Sequence, residues 1–115
     1  MTSCRERQFQ LCPRFEKTFA ILGKKWNGLI IDVLLEEGPQ RFVELASKIP
    51  DVSDRVLVER LKELEEKEIL ARLVLEDENN RIVYQLTEKG QDLKRVMDEI
   101  QSWGERWVTI SQPTT

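Results

Sequence analysis

Apolar residues recur at helical spacing near the start of the chain. Phe15, Phe19 and Leu22 follow one another at three- and four-residue steps, Pro13 suits the first position of a helix, and Gly23 offers a stop. The pattern predicts a first helix that begins at Pro13 and ends before Gly23.

A second apolar stripe follows Lys24 and Lys25 and ends before Gly38-Pro39, a pair that commonly terminates helices. Its members are Trp26, Leu29, Ile30, Val33 and Leu34. We expect a second helix whose stripe faces the core.

Residues 42–49 place their apolar side chains on one face and are closed by Pro50, so they predict a helix of two turns. Ser53 then caps a long helix that runs to about residue 67. At 100° per residue, Leu61 and Leu64 of this helix lie within about 40° of Leu57 and pack inward. The outward side, roughly 140 to 200° from Leu57, carries Arg55, Glu59 and Lys62.

Residues 69–75 and 82–86 are rich in strand-forming side chains and are joined by a polar loop, so they predict a β-hairpin. Thr87 can cap one last helix. The apolar side chains of that helix are Leu93, Val96, Met97, Ile100, Trp103 and Trp107.

A short helix, a proline-containing turn, a long helix and a hairpin form a helix-turn-helix followed by a wing. The fold class is therefore α+β, mainly α: a winged helix-turn-helix in residues 12–109, with an arm at residues 1–11 and a frayed end at residues 110–115. The flanking helices carry more apolar surface than this core needs, and we expect a homodimer interface there. Its candidates are Phe9, Leu11, Phe15, Phe19, Met97, Ile100, Trp103 and Trp107. The alternative is that both helices fold back over their own core.

The net charge of -3 argues mildly against a nucleic-acid ligand. However, eight acidic against four basic side chains lie within residues 59–78, whereas residues 1–48 hold eight basic against six acidic ones. Because the acidity is concentrated in one block, a locally positive face remains available.

The chain has no histidine, which excludes Cys/His zinc sites and Ser-His-Asp or Cys-His catalysis. No nucleotide-binding glycine loop replaces them, so an enzyme is the weakest interpretation, and we expect no cofactor and no metal. No apolar run is long enough to cross a bilayer and residues 1–8 lack a signal-peptide core, so we expect a cytoplasmic protein without a membrane partner. There, Cys4 and Cys12 should be thiols by default.

Five motifs occur in an order that resembles the HxlR-type winged-helix transcriptional regulators, relatives of the MarR group. They are Cys-Pro at 12–13, Gly-Lys-Lys-Trp at 23–26, Gly-Pro-x-Arg-Phe-x-x-Leu at 38–45, Ser-x-x-x-Leu-x-x-x-Leu-x-x-Leu at 53–64, and Tyr-x-Leu-Thr-x-x-Gly at 84–90. The resemblance implies a dimeric regulator of double-stranded DNA, with the long helix in the major groove and the hairpin near the minor groove. It also implies thiol sensing at the position of Cys12, as in several members. Two departures are the acidic start of the wing and Gly-Lys-Lys-Trp in place of the common Gly-Gly-Lys-Trp.

The candidate DNA contacts follow from this arrangement. Arg55 can pair bidentately with guanine, and Ser53 with the adjacent amides suits a phosphate, but Arg55 and Lys62 could instead only bridge Glu59 on a solvated face. Lysines at a helix start oppose the helix dipole, which favours another role for them. The full set is Lys24, Lys25, Arg41, Ser53, Asp54, Arg55, Val56, Glu59, Lys62, Asn80 and Arg81. Turn chemistry alone would explain Asn79 and Asn80, so Arg81 is the wing residue that we favour.

Cys12 lies at a helix start beside Arg14, conditions that favour a reactive thiolate, although a small packed side chain is the alternative. Cys4 is a candidate resolving partner. The function predicted is a sequence-specific regulator, more consistent with a repressor than an activator, controlled by oxidation of Cys12 or by a small effector. The rival is a winged-helix protein-interaction module that does not read DNA.

Overall fold

The computed structural model describes residues 9–76 and 79–110 as six helices and one antiparallel hairpin. The elements are α1 (Pro13–Leu22), α2 (Asn27–Glu37), α3 (Phe42–Lys48), α4 (Asp54–Glu66), β1 (Leu70–Val74), β2 (Ile82–Leu86), α5 (Glu88–Gln91) and α6 (Lys94–Trp107). This order confirms the predicted winged helix-turn-helix with flanking helices.

The two helices of the helix-turn-helix begin with local caps. The Arg41 amide at the start of α3 donates to Glu44 Oε1 at 2.7 Å, and the Val56 amide in α4 donates to Ser53 Oγ at 3.2 Å. Both bonds satisfy amides that have no partner inside the helix. The predicted cap at Ser53 is confirmed.

The core forms where α2, α3 and α4 meet the base of the hairpin. The leucines of α4 that the periodicity placed inward are buried, and together with residues of the other elements they make one cluster. Its buried members are Ile30, Ile31, Leu34, Leu45, Ile49, Val52, Leu57, Leu61, Leu64, Ile69, Leu70 and Leu86. The second helix is rotated from the expected stripe, since Ile31 is buried whereas Leu29 is exposed.

The wing is fixed at its base and exposed toward its tip. Leu70 pairs with Leu86 and both are buried, whereas the last pair, Val74 and Ile82, is exposed. Gln40 forms an isolated antiparallel bridge with Tyr84. The Gln40 amide donates to the Tyr84 carbonyl at 2.9 Å, and the Tyr84 amide donates to the Gln40 carbonyl at 2.8 Å. The wing is thus hydrogen-bonded to the segment that leads into the helix-turn-helix.

The last predicted helix is two helices. Thr87 caps only α5, with its hydroxyl accepting from the Gly90 amide at 3.1 Å, and α6 starts anew at Lys94. Gly90 permits this arrangement, because a Cβ there would collide with the Ile69 carbonyl oxygen and meet Leu86 Cδ2 at 2.9 Å.

Gly90→Ala is therefore expected to destabilise the fold by about 1–3 kcal/mol, the usual cost of forcing volume into a packed site. Gly28→Ala is the matched control, since a Cβ at Gly28 meets only the Leu22 carbonyl at 3.7 Å, an ordinary contact. Urea denaturation of both variants measures the difference. Equal stability of the two would contradict the close packing at Gly90.

The two terminal helices bury none of their residues completely. The Phe15 and Phe19 rings stack on α1 with centroids 5.8 Å apart, and both remain exposed. Ile21, Leu22 and Met97 pack partly against the core, so the two helices fold back over it in part while Phe15, Phe19, Trp103 and Trp107 remain exposed. Within the described ranges, no helix is both long and apolar enough to cross a membrane.

Candidate nucleic-acid interface

Four exposed side chains of α4, Arg55, Val58, Glu59 and Lys62, form the surface that we call the reading face. Arg55 Nε lies 3.8 Å from Glu59 Oε2, and their side chains are 88% and 55% exposed. This separation is too long for a hydrogen bond, and exposed pairs one helical turn apart contribute little to stability. The Arg55 guanidinium is thus held only loosely and keeps its donors available to an acceptor.

Lys62 was expected to contact DNA or to bridge Glu59, and Val56 was expected to contact DNA. Lys62 forms no ion pair with any residue of the described chain, so it does not bridge Glu59. Val56 is half-buried and packs against the core, so it lies off the reading face. Asp54 is exposed in the first turn of α4, and the Ser53 hydroxyl already accepts from the helix.

Val58 was missed by the sequence analysis. It is 51% exposed and lies about 100° from Leu57, next to Lys62 around the helix. An apolar side chain at this place can contact the methyl group of thymine in a major groove. The helical projection places Val58 beside Lys62, but the candidates predicted on this helix were its polar side chains and Val56.

The corner between α1 and α2, residues 23–26, holds Lys24 and Lys25 before the helix rather than in its first turn, because α2 begins at Asn27. Lys24 Nζ reaches Glu63 Oε2 on α4 at 3.3 Å, and Lys25 Nζ lies 4.9 Å from the centre of the Trp26 ring. Lys24 therefore makes an ion pair with α4 while its side chain stays 48% exposed, and its contact with a phosphate stays a prediction.

The remaining candidates lie outside α4, at the start of α3 and in the loop of the wing. Arg41 is half-buried at the start of α3, and Asn79, Asn80 and Arg81 are exposed at the wing tip. Asn80 adopts φ 46°, a left-handed turn conformation that asparagine tolerates. The acidic residues Asp77 and Glu78 lie outside the described residues.

Residues 21–112 match the HxlR-like helix-turn-helix family. The chain belongs to this family. It is similar to the HTH-type transcriptional regulator YodB of Bacillus subtilis (strain 168), with 48% identity over 97 residues that cover 84% of this chain and 86% of YodB. The uncharacterized regulator YvaP of the same organism is 46% identical over 104 residues, which cover 90% of this chain and 95% of YvaP.

Solved structures agree with this assignment. The reduced form of YodB from B. subtilis superposes with a TM-score of 0.77 at 47% identity, covering 86% of this chain and 96% of YodB. Diamide-treated YodB gives a TM-score of 0.71 at 46% identity, covering 89% and 100%. HxlR-like proteins are winged-helix, DNA-binding transcriptional regulators, and the predicted fold and family are confirmed.

In this HxlR-like chain Cys12 immediately precedes α1, is buried, and is disulfide-bonded. The expectation that it would be a thiol by default therefore does not describe the state in the structure. The other cysteine, Cys4, lies outside the described residues.

The side chains proposed for dimerisation lie mostly in solvent. Trp103 and Trp107 are 62% and 65% exposed, and Met97 alone among the candidates packs partly against the core. The exposed others are Phe9, Leu11, Phe15, Phe19 and Ile100. Phe9 and Leu11 precede α1, whereas the other exposed candidates lie on α1 and α6.

An open cavity of about 390 Å³ lies between α2 and α6. Trp26, Leu29, Met97 and Ile100 provide most of its apolar lining. Because Leu29 and Ile100 are themselves exposed, this cavity is continuous with the apolar surface of α6.

Proposed function

We propose that this HxlR-like regulator reads a specific DNA sequence as a homodimer on a two-fold related site. The observation that carries the proposal is the reading face of α4, where Arg55 and Lys62 point into solvent while the opposite leucines are buried. A helix presented in this way fits the major groove, which is about 12 Å wide, and an arginine there can pair bidentately with guanine O6 and N7.

The exposed apolar side chains of α1 and α6 support the proposed dimer. Burying them between two copies removes this surface from water, and a two-fold dimer presents two copies of α4 to one duplex. The spacing between the copies must then match half-sites about 10–10.5 base pairs apart. We assign repression rather than activation, because a protein that occupies such a site can block transcription without contacting any other protein.

Selection of bound duplexes from a random library tests this function. The expected result is an enriched sequence made of two inverted half-sites whose centres are one helical turn apart. Recovery of DNA without a common sequence would contradict the proposal.

The second candidate is a protein-interaction module, which the exposed acidic end of α4 favours. Glu65, Glu66 and Glu68 are all exposed beyond the reading face. The salt dependence of DNA affinity separates the two functions, since each phosphate contact contributes about 0.9 to the slope of log K against log salt concentration. A slope near zero would favour the interaction module.

We further propose that thiol chemistry at Cys12 regulates DNA binding. Its buried place at the start of α1 and the similarity to YodB, of which reduced and diamide-treated forms are known, support this role. A small effector in the cavity between α2 and α6 is the other route of control.

Diamide oxidises two thiols to one disulfide and is itself reduced to the hydrazine. Treating the reduced protein is expected to change its DNA affinity by about 5- to 150-fold, the usual range of coupling between two sites. Cys12→Ser is expected to abolish this response and to keep the affinity of the reduced protein. Mass spectrometry checks the modification, and unmodified Cys12 with unchanged affinity after diamide would contradict the proposal.

A further inference from the structure

Lys24, Arg60 and Glu63 form one ion-pair group, the Glu63 cluster, on the side of α4 next to the reading face. Glu63 Oε1 accepts from Arg60 Nη1 at 2.6 Å, and Glu63 Oε2 accepts from Lys24 Nζ at 3.3 Å. The Arg60 and Glu63 side chains are only 15% and 21% exposed. Both oxygens of one shielded carboxylate are thus occupied by cations.

The cluster joins parts of the chain that are 39 residues apart. Glu63 lies one turn after Glu59 along the same row of α4 and therefore immediately follows the turns that carry the reading face. Lys24 belongs to the corner between α1 and α2. Its ion pair consequently links α4 to that corner, close to where α4 would meet DNA.

The corner itself has a defined conformation. Trp26 adopts φ 82°, an unfavourable left-handed conformation for a bulky residue that persists only where its surroundings impose it. The buried Asn27 donates from Nδ2 to the Ile21 carbonyl at 3.0 Å, which ties the end of α1 to the start of α2. Lys24 therefore extends from a constrained segment rather than from a loose loop.

We propose that Glu63 is a positioning residue for DNA reading, and that Lys24 acts through it rather than by contacting a phosphate. The inference rests on the proposed function, since it concerns the orientation of the helix that reads DNA. Because Glu63 lies outside the reading face and its negative charge repels phosphates, we attribute a loss of specific binding on its neutralisation to the cations that it holds.

The two roles of Lys24 predict opposite effects of Glu63→Gln. If Glu63 positions α4, the substitution lowers the specificity ratio, defined as the affinity for the selected site divided by that for a shuffled duplex. If Lys24 instead contacts phosphate, releasing it from Glu63 raises the affinity for both duplexes. Lys24→Met also distinguishes positioning from phosphate contact. Only the loss of a phosphate contact lowers the slope of log K against log salt concentration, by about 0.9 for each contact.

The test is a double-mutant cycle of Lys24→Met and Glu63→Gln, measured by fluorescence anisotropy at a temperature where circular dichroism shows every variant folded. Each single variant is expected to reduce the specificity ratio about 2- to 30-fold, the range for residues that couple to a site without contacting the ligand. The specificity ratio of the double variant should fall no further than that of either single variant, because each substitution alone already breaks the Glu63 cluster. Lys24→Arg should retain the ratio, and Lys25→Met is the matched control that removes the neighbouring charge without touching Glu63.

Three results would overturn the inference: a higher affinity of Glu63→Gln for both duplexes, a lower salt slope for Lys24→Met, or an unchanged specificity ratio accompanied by a lower melting temperature. The last result would leave the cluster with a purely stabilising role. Wild-type protein without any sequence preference would instead refute the proposed function, and the inference with it, so the two failures are distinguishable.

Discussion

Arg55→Ala is expected to lower the affinity for the selected DNA site by about 5- to 150-fold per half-site, because a bidentate arginine–guanine pair contributes about 1–3 kcal/mol of discrimination. The loss should be largest for duplexes with guanine at the contacted position, so the variant relaxes the preference there. The structure makes this a clean substitution, since the Arg55 side chain is 88% exposed and its contact with Glu59 is long. Anisotropy titrations on the selected site and its single-base variants measure both effects.

The matched control is Lys94→Ala. Lys94 forms the equivalent pair on α6, with Nζ 2.8 Å from Asp98 Oδ2 one helical turn away. This substitution also removes one exposed cation and one i,i+4 ion pair, but it lies off the reading face. If Lys94→Ala weakened binding as much as Arg55→Ala, the effect would be one of general charge, and α4 would lose its assigned role.

Trp103→Ala is expected to raise the dissociation constant of the homodimer by about 30- to 1000-fold, equivalent to the 2–4 kcal/mol of a tryptophan hot spot. Trp103 is 62% exposed in the single chain and lies with Ile100 and Trp107 along α6, so a partner surface is the remaining place for it to be buried. Because two half-sites must be bound together, affinity for the full DNA site should fall in parallel. Sedimentation velocity over a dilution series checks the first effect.

Glu105→Ala controls for changes in α6 itself. Glu105 is exposed and lies about 140° around the helix from Ile100 and about 160° from Trp103 and Trp107, away from the apolar surface. This variant should keep the dissociation constant of the wild type. A wild-type protein that remains monomeric at all concentrations, or a Trp103→Ala variant that dimerises normally, would contradict the interface on α6.

The parts of the fold that could be predicted from the sequence depend on local signals. Ser53 could be assigned as a cap because the bond that it accepts comes from Val56, three residues away. The leucine row of α4 was likewise visible as a period, and Gly23 marked the end of α1. Such features are encoded within one or two turns of chain, so spacing is enough to find them.

The rest depends on contacts between distant residues. Nothing near Lys24 indicates that its partner is Glu63, and the pairing of Gln40 with Tyr84 likewise requires the folded hairpin. The break between α5 and α6 arises from the packing of Gly90 against Ile69 and Leu86, although the apolar periodicity continues through it. The same limitation applies to the candidate site: the outward positions of Arg55 and Lys62 could be predicted from spacing, whereas the ion pair of Lys24 with Glu63 could not.

The turn of the wing and the end of its second strand show the same difference between local and distant contacts. Asn80 supports the left-handed turn that its residue type favours, whereas the Thr87 hydroxyl spans from α5 to the Glu68 carbonyl at 2.6 Å. The first feature follows from residue preference alone, and the second requires β1 and β2 to be paired. The role of Arg81 at the tip stays a prediction.

The central claim, that α4 reads a specific DNA sequence, is tested most directly by one anisotropy measurement. The wild-type dimer is titrated against the selected duplex and against a shuffled duplex of identical length and composition at physiological salt. We expect the selected duplex to bind at least about 10³-fold more tightly, the lower end of the range for specific regulators. Equal affinities for the two duplexes would contradict it.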